Sequence, residues 1–496
     1  MADQVGTTGT SAPATQTVAA GGLLDTILQK GKLVRDPSQE NYAIDMVGAF
    51  VKQVLSAGGT VSNDAVAFIN QQIQQLDQLL GDQLDLILHN PKMQALEGSW
   101  RGLNYLVMNS ETGTHLKIRL MNASKQEVAD DLEKAVEFDQ STLFKKIYEE
   151  EYGTFGGSPY SCLVADYYFS ANPPDMEILS KLSNVAAAAH APLITAPDPT
   201  MFNLDGFYDL GKPRDLAKLF DSADKIKWQS FRETEDSRYV VMTLPRVLMR
   251  MPYGPNSLPV EGLNYEEKVD GATQSTFVWG NACYMLGQRI TNAYSLYGWT
   301  AAIRGVEGGG LVEDLPTYTF HTTDGDLALK CPTEIAITDR REKELSDLGF
   351  VALCHCKGTD KAAFFGGQTA QKPKTYNTPD ANSNSQISAR VPYLLAASRF
   401  AHYIKSIMRD KIGSFMTKDE VKTYLQTWIS NYVLLNDNAP QEVKARYPLR
   451  EARVDVFDVP GEPGYYRATV FLRPHFQLED LTASIRLVAN LPKAAG

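Results

Sequence analysis

Apolar side chains recur along this chain at two different spacings, and the change from one to the other divides it. In GLLDTILQKGKL, Leu23, Leu24, Ile27 and Leu28 fall on one side of a short helix. That helix follows residues 1–22, where Thr, Ala, Gly and Ser predominate and a flexible tail is expected. After Asp36-Pro37-Ser38, which supplies candidate caps, Ala43, Met46, Val47, Phe50, Val51, Val54 and Leu55 mark a second amphipathic helix. A third runs from about Asn63 and should stop near Pro91. From His115 the texture becomes one of short apolar runs alternating with helical stretches: HLKIRLM, helices near 125–150, SCLVADYYF, a helix near 174–189, then APLITAP. This alternation predicts an α/β region with a buried sheet.

An aromatic-rich helix, FVWGNACYMLGQRITNAYSLYGW, follows and leads into RGVEGGG. The last third then reads as a strand, TEIAITD, a charged helix, DRREKELSDLG, and a strand, FVALCHC. A polar segment, KPKTYNTPDANSNSQ, precedes two long helices at about 386–412 and 418–435, and in the β-rich tail GEPG separates two alternating runs as a hairpin turn would. The expected class is mixed α/β and multi-domain: a tail at 1–22, a helical region at 23–110, a central α/β region at 111–330, and a C-terminal domain at 331–496 ending in strands. No repeat of 20 to 50 residues is found.

Charge narrows the partners. Fifty-nine acidic residues against 48 basic ones give a net charge of −11, and no Lys/Arg block forms a basic face for nucleic acid. Five scattered cysteines do not make the disulfide framework of a secreted protein, so the reducing cytoplasm is the expected compartment. No basic and apolar leader opens the chain, and no window approaches the ~18 uncharged apolar residues of a membrane span.

Candidate chemistry is sparse. The run Gly206 to Gly211-Lys212-Pro213 matches a phosphate-binding loop except at its last position, where Pro213 supplies neither the hydroxyl nor the N–H that such a loop needs; the plainer reading is Lys-Pro opening a helix. Gly305 to Gly310 lacks dinucleotide-loop spacing and reads as a tight loop. On a strand, the Cys354 and Cys356 side chains face opposite to His355, and no second pair completes a zinc set. Glu149, Glu150 and Glu151 point in different directions from a helix end. No catalytic, cofactor or metal residue is assigned. One segment remains open, MTLPRVLMRMPYG, in which Arg246 and Arg250 lie four apart in an apolar run bounded by Pro245, Pro252 and Gly254. They are either a guanidinium fork for a small anion, as in an anion-dependent enzyme, or structural arginines that hold carboxylates of this chain or of a neighbour.

Five blocks in order, ILHNPKMQALEGSWRGLNYLV, EEEYGTFGGSPYSCLVADYYFS, TLPRVLMRMPYG, WGNACYMLGQRITNAYSLYGWTAAIRGVEGGGLVEDLP and LRPHFQLEDLTASIRLVA, resemble the large contractile-sheath subunit of bacterial type VI secretion systems, the TssC/VipB family. The match runs from about residue 23 to the end, and the last third is also similar to the sheath domain of contractile phage tails.

The resemblance implies a non-enzymatic machine part with no cofactor. Its partners would be a small sheath subunit, further copies of itself, the hexamers of an inner tube, a baseplate and an AAA+ unfoldase that dismantles the contracted sheath, with no nucleic acid and no membrane insertion. A sheath of a phage-derived contractile particle is the alternative. In such sheaths the helix at Asp339, Arg340, Arg341, Glu342 and Glu344 would face the tube, and Leu23, Leu24, Ile27 and Leu28 would be the unfoldase handle. Arg467, Thr469, Phe471, Ile485 and Leu487 lie on edges that strands of other subunits can complete.

Overall fold

A computed structural model describes residues 39, 41–42, 44–49, 65–212, 214–322, 324–414, 416–461 and 466–477. The chain divides into two compact units, residues 1–79 and 80–496. In the first, residues 44–49 are helical, with Tyr42 and Met46 exposed. The expected unfoldase handle at Leu23, Leu24, Ile27 and Leu28, and Ile485 and Leu487 near the end, lie outside the described residues.

In chain order the strands are β1 (Leu163–Phe169), β2 (Leu193–Pro197), β3 (Val240–Leu244), β4 (Val247–Leu248), β5 (Trp279–Gly280), β6 (Leu311–Val312), β7 (Thr319–His321), β8 (Leu327–Leu329), β9 (Phe350–His355), β10 (Ala362–Phe364), β11 (Leu449–Asp458) and β12 (Tyr466–Pro474). The longer helices are α1 (Ala65–Leu88), α2 (Pro91–Met108), α3 (Lys125–Lys134), α4 (Pro173–Ala188), α5 (Cys283–Tyr297), α6 (Asp339–Asp347), α7 (Pro379–Ser388), α8 (Val391–Lys411) and α9 (Lys418–Ser430).

Six strands make the central sheet in the order β1-β2-β3-β9-β10-β6. The first four run parallel, which demands crossover connections, and α4 supplies the first of them. Successive side chains on a strand point to opposite faces, and both faces are apolar here. Leu193, Val240, Met242, Phe350 and Ala352 enter one core with α4 and Trp228. Ile194, Val241, Val351 and Leu353 enter a second with α5 and Leu106 of α2. Trp228 stacks on Phe350 with ring centroids 5.3 Å apart, closing the first core. A third core, Trp299, Phe400, Leu425, Ile429, Val454 and Val456, joins α8 and α9 to the β11–β12 ribbon.

Five readings need correction. HLKIRLM forms no strand, because its residues have no ladder partner and are mostly exposed. TEIAITD is an extended connection with a single bridge, Thr333 to Val247; its alternation places Ile337 in the first core without a neighbouring strand. The polar segment before α8 contains a helix, α7, opened by Pro379 in its first turn and without a buried residue, so no apolar period announced it. The helix expected to open at Lys212-Pro213 begins instead at Leu216, capped by the Asp215 side chain. Finally, β9 and β10, expected to belong to the C-terminal domain, pair into the sheet begun by β1 to β3, with Met242 opposite Phe350.

Candidate assembly interface

The two arginines of MTLPRVLMRMPYG sit just past β3, after a cis Leu244–Pro245 peptide. Arg246 Nε and Nη2 donate to the two oxygens of Glu334 at 2.7 and 2.8 Å. The Glu334 side chain is fully buried, and its Oε1 also accepts the Phe207 N–H at 2.9 Å. A carboxylate therefore already occupies the turn whose sequence mimicked a phosphate loop. Arg250 Nε donates to Glu97 on α2 at 2.7 Å and Nη1 to Glu267 at 2.6 Å. Glu267 further accepts from the Tyr253 N–H at 2.9 Å and contacts His89 Nε2 at 3.2 Å.

Burial opposes both guanidinium charges, but hydrogen bonds and attraction from these carboxylates outweigh it and raise both pKa values. At Glu97, burial is likewise outweighed by Arg250 and Arg101, and its carboxyl is held below the ordinary range. Both arginines are thus held by carboxylates of their own chain. The fork that could have gripped a small anion is filled.

Glu97 marks a helix with two unlike sides. Gly98 and Gly102 of α2 are buried, and a Cβ would lie 2.7 Å from the Trp279 carbonyl oxygen at the first and 2.3 Å from the Tyr284 ring at the second. Small residues one turn apart let α2 seat directly on β5 and α5. About half a turn around the helix, Met93, Leu96, Trp100 and Val107 are solvent-exposed, Trp100 by 60%. The sequence reading missed this row, although its 3–4 spacing is present in ILHNPKMQALEGSWRGLNYLV. Periodicity shows that a helix has an apolar face, but not which of two apolar faces its own domain covers.

The residues of α6 divide in the same way. Asp339 and Arg340 are exposed, and so are Lys343 and Asp347, which the sequence reading did not single out. Arg341 instead turns inward, donating to the carbonyls of Arg214 and Lys212 at 3.1 Å each and to Glu344 at 2.7 Å. Glu342 turns toward Gly366, and burial raises its carboxyl pKa against the pull of Arg304 and Arg390. Beside α6 lies a cleft of about 560 Å³, lined by Arg214, Asp215, Arg340, Arg341 and Glu344 together with apolar Ile335 and Ile337.

β11 and β12 form a two-stranded antiparallel ribbon with Val454 opposite Val470. Tyr466, Val470 and Leu472 face the third core, whereas Arg467, Thr469 and Phe471 face solvent, Phe471 by 47%. Among the described residues no further strand joins either long edge. The remaining motifs are internal. Glu151 pairs with Arg119 and accepts the Ser158 N–H. Gly305 and Gly310 close a loop on each other, with the Gly310 N–H 2.9 Å from the Gly305 carbonyl oxygen. Cys354 is buried and Cys356 exposed. Among the described residues no cluster of three or more metal-ligating side chains occurs, and no helix is long and apolar enough to cross a membrane.

Residues 70–371 match the VipB family, described as the EvpB/VC_A0108 tail sheath N-terminal domain, and residues 380–491 match its tail sheath gpW/gp25-like domain. The chain is 50% identical over 454 residues to the type VI secretion system sheath protein TssC1 of Pseudomonas aeruginosa PAO1, covering 90% of this chain and 91% of that one. Among solved structures it is similar to a chain of the anti-feeding prophage baseplate, at 11% identity and TM-score 0.35 over 64% of this chain and 67% of that one. It is also similar to a chain of the contracted helical sheath of that particle, at 11% identity and TM-score 0.30 over 62% and 66%.

Proposed function

The chain belongs to the VipB family of tail sheath proteins, and on that premise we propose that it is the large subunit of a contractile type VI secretion sheath. It acts in the bacterial cytoplasm, pairing with a small sheath subunit. The pairs build a tubule around an inner tube, attached to a baseplate. Contraction of the tubule propels tube and effectors outward, and an AAA+ unfoldase recycles the contracted form. The energy is released by rearranging subunits, so the chain needs no reaction centre of its own.

The observation that carries this reading is the β11–β12 ribbon: its long edges have no third strand among the described residues, the β11 edge being engaged in part by the Gln426 side chain and a bridge to Val433. An unpaired edge offers a row of N–H and C=O groups to a strand of another chain. Links made of main-chain hydrogen bonds can persist while the domains they join rotate as rigid bodies. Arg467, Thr469 and Phe471, with Ile485 and Leu487 beyond the described residues, are assigned to this intersubunit sheet.

Two other surfaces complete the assignment. The exposed row Met93, Leu96, Trp100 and Val107 on α2 is the apolar face against which the small subunit would bury its own. The charged face of α6 is turned to the inner tube, with Asp339 and Arg340 at the contact and Arg341, Glu342 and Glu344 shaping the helix behind them. Exposed ion pairs are each worth only about 0 to 1 kcal/mol, which suits a contact that must release. Leu23, Leu24, Ile27 and Leu28 are the unfoldase handle. The test is co-expression with the small subunit of the same gene set, followed by electron microscopy: tubules are expected, and a stable chain that forms none under any condition contradicts the proposal.

A further inference from the structure

One pocket lies outside every surface assigned above. Lys145–Gly153 winds as a π-helix, a form that recurs at functional sites, and the chain after it folds back in a tight turn. The turn is fixed by its own bonds. The Ser158 N–H donates to Glu151 Oε2 at 2.8 Å, and the Thr154 hydroxyl to the Glu149 carbonyl at 2.6 Å. Gly156 takes a left-handed φ of 80°, and a Cβ on Gly157 would stand 2.2 Å from the Glu151 carbonyl oxygen, so this path requires both glycines. It leaves Phe155 75% exposed. From α8, Arg409 donates to the Tyr152 and Thr154 carbonyls at 2.7 and 2.8 Å. One and a bit turns earlier, the Lys405 ammonium lies 3.6 Å from the centre of the Tyr152 ring and 3.2 Å from the Tyr148 hydroxyl. Loop and helix together line a pocket of about 270 Å³.

Those carbonyls and rings orient the two cations without neutralising them. Among the described residues neither Lys405 nor Arg409 has a carboxylate within ion-pairing distance. The acids that line the pocket do not serve: Glu151 is held by Arg119 and the Ser158 N–H, and Asp410 is exposed and bonds neither cation. A guanidinium carries five N–H donors, and Arg409 spends only two of them on carbonyls. A carboxylate is the ligand that the remaining donors fit.

A second copy of this chain carries one in a matching setting. The β7–β8 hairpin ends in Asp324-Gly325-Asp326, with Gly325 at a left-handed φ of 87° and exposed Leu327 just beyond. Both aspartates are exposed and have no ion-pair partner among the described residues. Their charge complements Lys405 and Arg409, and Leu327 complements Phe155. We infer that, in the sheath proposed above, on which this inference rests, the hairpin tip of one copy docks in this pocket of the next. Arg409 and Lys405 clamp its aspartates, and Leu327 packs on Phe155. A contact between two unlike patches does not close on itself in pairs but propagates around a ring or along a helix, as a tubule requires.

The test is carbodiimide cross-linking of wild-type tubules, assembled with the small subunit from equal parts of isotope-labelled and unlabelled chain, followed by peptide mass spectrometry. An amide between Lys405 Nζ and Asp324 or Asp326 is expected, joining labelled to unlabelled peptides, and it should be absent from the unassembled chain. Asp324→Asn combined with Asp326→Asn should leave the melt of the isolated chain unchanged and lower the yield of sedimented tubules at least ~10-fold, as loss of a charge pair across an interface does. Tubules without that cross-link, or with Lys405 joined to a carboxylate of the small subunit, overturn the inference and leave the sheath reading intact. So does an undiminished tubule yield from the double variant. Failure of the wild type to form tubules contradicts the sheath reading itself, and the contact falls with it.

Discussion

Arg250 Nη1 lies 2.6 Å from Glu267 Oε2, with the two side chains only 4% and 1% exposed. A second carboxylate, Glu97, reaches the same guanidinium from α2 at 2.7 Å. Removing one member of a buried charge network strands the others in a poorly solvated site, at a cost of about 3–5 kcal/mol. Arg250→Met is therefore expected to lower the urea midpoint of the isolated chain by that equivalent, and Arg250→Lys, which cannot span both carboxylates as a fork, to recover only part of it. An unchanged midpoint in Arg250→Met would show that the network contributes nothing to stability.

The two sides of α2 should respond oppositely to substitution. Gly102→Ala places a methyl group where the Tyr284 ring already stands, 2.3 Å away, and overpacking of this kind costs about 1–3 kcal/mol. Trp100→Ala, on the open side, should change stability by no more than about 0.5 kcal/mol. Thermal melts of both variants decide this. Equal effects would mean that the exposed row is covered within the chain.

His402 on α8 is held neutral by its contacts. Its Nε2–H donates to the Ala189 carbonyl at 2.8 Å, and Nδ1 faces the Arg399 guanidinium at 3.5 Å. Burial, with added repulsion from Arg399, His190 and Lys405 and against the Ala189 hydrogen bond, lowers its pKa to about 4. In the unfolded chain it titrates near ~6.5, so between these values the unfolded state binds a proton that the folded state does not. Its contribution is fully present above about pH 6.5 and is lost as the pH falls toward 4. The loss is expected to reach about 2 kcal/mol between pH 7.5 and pH 5. Urea unfolding of the wild type and of His402→Gln at both pH values measures it, and the same pH slope in both proteins would contradict it.

On α6 neighbouring arginines should separate. Arg341→Met removes the donors to the Arg214 and Lys212 carbonyls and should destabilise the isolated chain by about 1–2 kcal/mol. Arg340→Glu, at an exposed position, should leave stability unchanged and weaken assembly around the tube, most strongly at low salt. Sedimentation of tubules at two ionic strengths tests the second half, and normal tube loading in Arg340→Glu would remove α6 from the tube contact.

What the sequence disclosed depended on how local the information was. The apolar runs of β2 and β9 were legible because both faces of each strand are buried, as at Leu193 and Ile194. The alternation in TEIAITD misled, since its second residue, Glu334, is buried by pairing with Arg246, 88 residues away in sequence. Pairing of Arg250 with Glu97 spans 153 positions, so both the demand for an acid and an apolar setting could be read, but not the partner's identity. Helix α7 stayed hidden for want of any apolar face. The outward row of α2 stayed hidden because Gly98 and Gly102 turn the other side inward, a choice made by the shape of β5 and α5.

The most direct measurement is a cryo-EM map of the tubule formed with the small subunit, read at the long edges of β11 and β12. The account predicts that at least one edge, beside Arg453 to Phe457 or beside Arg467 to Phe471, is continued by a backbone-paired strand from another subunit. A map in which both edges stay open to solvent, with subunits joined through side chains alone, would contradict it.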